Sequence, residues 1–146
     1  MTGFFDYIER GILSSARRFV GALASLKIGS VLEVGVVAAR GFQNGFRAGV
    51  TAVVGADGDY VDRENLLIGV ESFRALDITQ RFDLKSRFDL MLCLKVGEHI
   101  PTECSATLAD NLTQHAPIVL FFAALPSESG LHHFYEEPLS FWRKLF

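Results

Sequence analysis

The sequence predicts an α/β domain built on a mainly parallel sheet, and three observations carry that reading. Residues 30–59 run as a short strand, a tight turn, a helix-length segment, a second strand and an acidic tip. Two short buried strands that bracket such a segment imply a parallel pair joined by a right-handed crossover. Residues 88–94 are nearly all apolar, as a central parallel strand covered on both faces requires. Residues 118–124 repeat that pattern between Pro117 and Pro126.

Length and composition bound the answer. The 146 residues suffice for one domain with a two-sided core. That domain, 1–146, divides into an N-terminal helical segment (1–26), a sheet core (30–126) and a loop with a C-terminal helix (127–146). Apolar residues make up 49% and charged residues 21%, a globular rather than a disordered balance. The net charge of −3, with Lys and Arg scattered, gives no electrostatic footprint for nucleic acid. The longest apolar run, 118–125, is far short of the roughly 20 residues that span a bilayer, so no membrane segment is expected. Asp6 and Glu9 stand where a secretory signal needs positive charge, and Cys93 and Cys104 lack CxxC spacing. The expectation is a cytoplasmic chain with reduced thiols.

The elements follow in order. Over residues 4–26, Ile8, Ile12, Ala16, Phe19, Val20 and Leu23 recur at three- and four-residue steps, which predicts an amphipathic helix. Val31, Leu32 and Val34 form the first strand, ending at Gly35; 51–54 form the second, running into Gly55, Ala56 and Asp57. A helix over 60–67 and a short strand over 73–76, ending at Asp77, come next. After the strand at 88–94, Thr102 is expected to cap a helix through His115 with Ala106, Leu108, Ala109 and Leu112 inside. Residues 118–124 are the fifth strand, and 138–146 a short amphipathic helix. Asn111, Leu112 and Thr113 match a glycosylation pattern that carries no meaning on such a helix.

Glu33, Val34 and Gly35, then Gly55, Ala56 and Asp57 after a helix-length segment, resemble the nucleotide-binding half of a class I S-adenosylmethionine-dependent methyltransferase. The similarity continues through Asp77, through 88–94 with Glu98 and His99, and through 120–142, covering most of the chain from about residue 15. It implies a Rossmann-like three-layer sandwich with sheet order 3-2-1-4-5 and transfer of a methyl group to a small-molecule acceptor. It also implies that Glu33, Gly35, Asp57, Gly58, Asp77, Ile78 and Lys95 meet S-adenosylmethionine while His99 and His133 face the acceptor. Asp57 is suited to a ribose diol, since a carboxylate accepts at both oxygens; it is equally a turn residue in Asp57, Gly58, Asp59. Asp77 would meet the adenine amine with Ile78 against the ring, or would simply cap a turn. His99 would serve as base, or would finish the loop before Pro101.

The sequence also departs from that pattern. The glycine-rich turn reads Gly35, Val36, Val37, Ala38, Ala39; Lys95 stands where an acidic residue is common; and Tyr135 and Glu137 replace amides. The alternative is therefore a catalytically inactive methyltransferase-like binding or assembly module. A nicotinamide dehydrogenase is disfavoured, because the turn lacks the glycines a pyrophosphate needs. No metal is expected, since His99, His132 and His133 with Glu98 show neither HxH nor HExxH spacing. Members of the family usually continue past the fifth strand, so that strand is expected to be an open, C-terminally truncated edge. Pairing across it would give a homodimer or a protein partner.

Overall fold

A computed structural model describes residues 25–35, 49–126 and 135–146. The expected N-terminal helix, the turn at 36–39 and His133 lie outside these residues. Five strands form one sheet: β1 (Ser30–Val34), β2 (Ala52–Asp57), β3 (Phe73–Ala75), β4 (Leu90–Leu94) and β5 (Val119–Phe122). Their order is β3-β2-β1-β4-β5 and every pairing is parallel, as predicted. Val34 lies opposite Ala56 on one side and Cys93 on the other, so the carboxyl ends of the three inner strands share one edge.

Side chains alternate across the pleat, which sorts the strands into two buried faces. Leu32, Val34, Ala56, Met91 and Cys93 pack on one face with Leu108 and Leu112 of helix α1 (Ser105–His115). Val31, Leu90, Leu92 and Leu94 gather on the other with Ile28, and with Val50, Ile118 and Leu120 at the margin. Burial on both faces is why these strands read as unbroken apolar runs. Helix α2 (Leu139–Leu145) lays Trp142 against Phe121, ring centroids 4.6 Å apart. Among the described residues no helix is long and apolar enough to cross a membrane.

Polar tethers hold the amino end of the sheet. Asp89 Oδ2 accepts from the Gly29 and Ser30 N–H groups at 2.9 and 2.8 Å and from the Ser30 hydroxyl at 3.0 Å. These donors hold its carboxyl below the usual carboxylate range. Asn111 and His115, one turn apart on α1, pin the segment before β4. The Asn111 amide donates to the Gln80 carbonyl and accepts from the Phe82 N–H. His115 Nε2 accepts from the Leu84 N–H, which leaves Nδ1–H to donate to the Asn111 carbonyl. A depression of about 320 Å³ beside this end is lined by Asp83, Lys85, Arg87 and Gln114, remote from the carboxyl edge.

Three local expectations are corrected. The helix over 60–67 does not form: the link from β2 to β3 carries two single 3-10 turns, Arg63–Asn65 and Val70–Ser72. Asp62 accepts from the Glu64 N–H and the Asn65 amide, so its side chain competes with helical bonding and stops the helix at one turn. Thr102 does not cap α1, because its hydroxyl donates to Glu137 Oε1 at 2.9 Å; a 3-10 turn, Thr102–Cys104, precedes the helix instead. Ala106 is exposed, and Ser105, Asn111 and His115 join Leu108, Ala109 and Leu112 inside.

Candidate functional site at the carboxyl edge of the sheet

Parallel strands bring their carboxyl ends to one edge, and five of the expected site residues follow from that alone. Glu33 and Gly35 end β1, Asp57 and Gly58 end β2, and Lys95 follows β4. Asp77 and Ile78 come just after β3, tied in by the Leu76 N–H, which donates to the Asp57 carbonyl at 2.8 Å. His99 closes the 3-10 turn Gly97–His99 beyond Lys95.

Gly35 sits at φ +82°, and its N–H donates to the Ala56 carbonyl at 3.0 Å. A Cβ there would lie 2.3 Å from Val96 Cγ2, so the space a side chain would take is filled by the loop after β4. Glu33 is buried beside it, on the face that carries Val31 and Leu92.

Asp57 is only 4% exposed, yet its Oδ1 accepts the Gly58 N–H at 2.7 Å and the Tyr60 hydroxyl at 2.6 Å. Partial burial of the phenol and its bond to the carboxylate push Tyr60 up to about 12. Asp77 is exposed, and its Oδ1 accepts the Thr79 hydroxyl at 2.6 Å and the Thr79 N–H at 2.9 Å, which hold it below the usual range. In this state it caps the turn through Gln80, whose N–H donates to the Asp77 carbonyl. Ile78 packs at the margin of the α1-side core.

Lys95 adopts the left-handed conformation, φ +59°, uncommon for a residue with a Cβ, and this turns the chain sharply after β4. Its Nζ lies 3.9 Å from Glu98 Oε1 and 4.8 Å from the centre of the Phe122 ring. Glu98 is fully buried, whereas His99 is exposed. Burial, reinforced by the Glu98 and Asp57 charges, pushes the Cys93 thiol well above its usual range, so it is no thiolate nucleophile. Both cysteines are free. The Tyr135 N–H donates to the Glu98 carbonyl and Glu137 holds Thr102, so the segment after residue 134 folds back over this end.

The sequence marks Glu98 beside His99 but not its burial, and it gives Tyr60 no part at this edge. Asp57, Gly58, Asp59, Tyr60 is a compact acidic-aromatic turn, and that proximity was the available signal for Tyr60. Nothing local distinguishes a buried Glu98 from a solvated one.

The Tyr60 bond has a measurable consequence. A tyrosine whose folded pKa lies above its unfolded value of 10 favours folding fully below pH 10. That contribution is lost as pH rises through about 12. In a 295 nm titration of the native protein, one of the three tyrosines should ionise near pH 12. In Asp57→Asn, which removes the charge, that step should fall toward 10; an unmoved step would mean that Asp57 does not hold the phenol.

No family model matches the sequence, and no curated protein matches it. Solved structures do match its fold. DesVI of Streptomyces venezuelae superposes with a TM-score of 0.58 at 17% identity, over 86% of this chain and 57% of that one. Magnesium protoporphyrin IX methyltransferase ChlM from Synechocystis PCC 6803, solved with bound SAM, gives 0.56 at 18% identity, over 99% of this chain and 72% of that one. The methyltransferase domain of bacterial CtHen1-CN gives 0.62 at 14%, over 89% and 79%. This chain thus spans little more than half the length of DesVI. Strand order, parallel register and these superpositions together give the chain the Rossmann-like fold seen in class I S-adenosylmethionine-dependent methyltransferases.

Proposed function

We propose that the chain is an S-adenosylmethionine-dependent methyltransferase acting on a small-molecule acceptor. The observation that carries this reading is Asp57: a nearly buried carboxylate at the tip of β2 that accepts a hydroxyl hydrogen bond at 2.6 Å. Such an acceptor at the carboxyl edge of a parallel sheet suits a ribose diol. Asp57 accepts a hydroxyl hydrogen bond, as a ribose site requires, while the space above Gly35 is filled by Val96.

Asp57 would hold the ribose with the Gly58 backbone beside it, Asp77 and Ile78 the adenine, and Glu33, Gly35 and Lys95 the turn and the amino-acid end. The cofactor supplies a sulfonium-bound methyl group with a good leaving group. The protein's share is to position the two partners and exclude water. His99, exposed at the rim, can take the acceptor's proton at its imidazole; His133 is proposed as its companion.

Titration calorimetry with S-adenosylmethionine and S-adenosylhomocysteine tests the reading. A Kd below about 1 mM, equivalent to roughly −4 kcal/mol, is expected. No heat and no thermal shift at millimolar ligand would sink it. With an acceptor in hand, His99→Gln should lower turnover about 10²-fold while leaving cofactor affinity intact. Parallel loss of stability would mark His99 as structural. A second reading, an inactive binding or assembly module, is favoured by Val37 and Ala39 standing where glycines are usual. Val37→Gly should then strengthen a weak cofactor affinity.

A further inference from the structure

The two hydrogen bonds to Asp57 fill the lone pairs of Oδ1, one from the Gly58 N–H and one from the Tyr60 hydroxyl. A cis-diol that grips a carboxylate needs both oxygens, so one present donor must leave. The Gly58 N–H belongs to the next peptide and cannot.

Tyr60 can. The residue is 82% exposed, so few contacts anchor it beyond the phenol's bond to Asp57 and the approach of its ring to Gly58. The turn that carries it back over Asp57 is closed by the Val61 N–H donating to the Gly58 carbonyl at 3.2 Å. The ring then comes close against Gly58, where a Cβ would be 2.1 Å from Tyr60 Cε1; only glycine permits this pose. From these contacts we infer that the Tyr60 phenol is a displaceable occupant of the ligand-hydroxyl site on Asp57, and that a ribose diol binds there only after the ring swings out.

The inference rests on the cofactor reading proposed above and adds a competing group to that site. The phenolic O–H stands where a ligand O–H would, and it keeps water from a carboxylate that is otherwise nearly enclosed. When a site is occupied by its own side chain, apparent affinity falls in proportion to the fraction of molecules in which it is open. Removing one modest hydrogen bond should raise affinity about three- to tenfold.

The parent chain and Tyr60→Phe are compared by calorimetry with S-adenosylhomocysteine, adenosine and 2′,3′-dideoxyadenosine. Phenylalanine keeps the ring and deletes only the competing hydroxyl, at an exposed position that folding tolerates. The variant should bind S-adenosylhomocysteine and adenosine about three- to tenfold more tightly and the dideoxynucleoside with unchanged affinity. Equal or weaker adenosine binding by the variant, with the parent still binding, would overturn the competition and leave the cofactor reading intact. An equal gain for both nucleosides would also overturn it, because the diol would then play no part. No binding by either protein to any of the three would overturn the cofactor reading and this inference with it.

Discussion

Gly35→Ala should destabilise the protein by about 2–5 kcal/mol. Two effects add. A residue with a Cβ held at φ +82° costs roughly 1–2 kcal/mol. The new methyl group would also sit 2.3 Å from Val96 Cγ2, and overpacking of this kind costs about 1–3 kcal/mol. Val96 is buried and β-branched, so it has few rotamers with which to yield. Chemical denaturation of the parent, of Gly35→Ala, of Val96→Ala and of the double variant separates the two effects. In the double variant the steric part should vanish while the backbone part remains. If Gly35→Ala alone proves neutral, the β1 turn does not hold the conformation described here.

Trp142→Ala should be comparably damaging, with a loss of about 3–5 kcal/mol. Trp142 is 3% exposed and anchors α2 to the rest of the fold. Its ring lies against Phe121 at 4.6 Å and meets Phe141 edge-on at 5.3 Å. Its Cζ2 stands 2.7 Å from where a Cβ on Gly97 would be, so the indole fills the space beside the loop after β4. Truncation would empty that space and free α2. The unfolding midpoint should fall by about 10 °C, given the few degrees per kcal/mol typical of a chain this long. A change below about 1 kcal/mol would show that α2 adds little to stability.

The need for glycine at position 35 was legible, since a strand that stops at a glycine before a helix-length segment calls for a tight turn. The positive φ of that turn is what such a glycine supplies, whereas the packing of Val96 into the space beside it had no signal in the sequence. Trp142 was visible only as part of an apolar C-terminal stretch.

By itself the sequence determined the parallel sheet and the edge to which its strand-end polar residues come. Both follow from local rules: apolar runs report strands covered on two faces, and parallel strands must bring their carboxyl ends together. Strand bounds moved by at most three residues, as Leu90–Leu94 within the expected 88–94 and Ala52–Asp57 against 51–54 illustrate. The placement of Gly35, Asp57, Asp77 and Lys95 at one edge follows from the same topology. The tertiary structure decided the partners. Tyr60 on Asp57, Glu137 on Thr102, Glu98 buried near Lys95, and His115 holding Leu84 are pairings between side chains whose orientation depends on loop paths and helix packing. Residue type states what a group can bond to. Only the packed chain brings one partner within about 3 Å and excludes the others, and at Asp57 that choice separates an open acceptor from one already occupied.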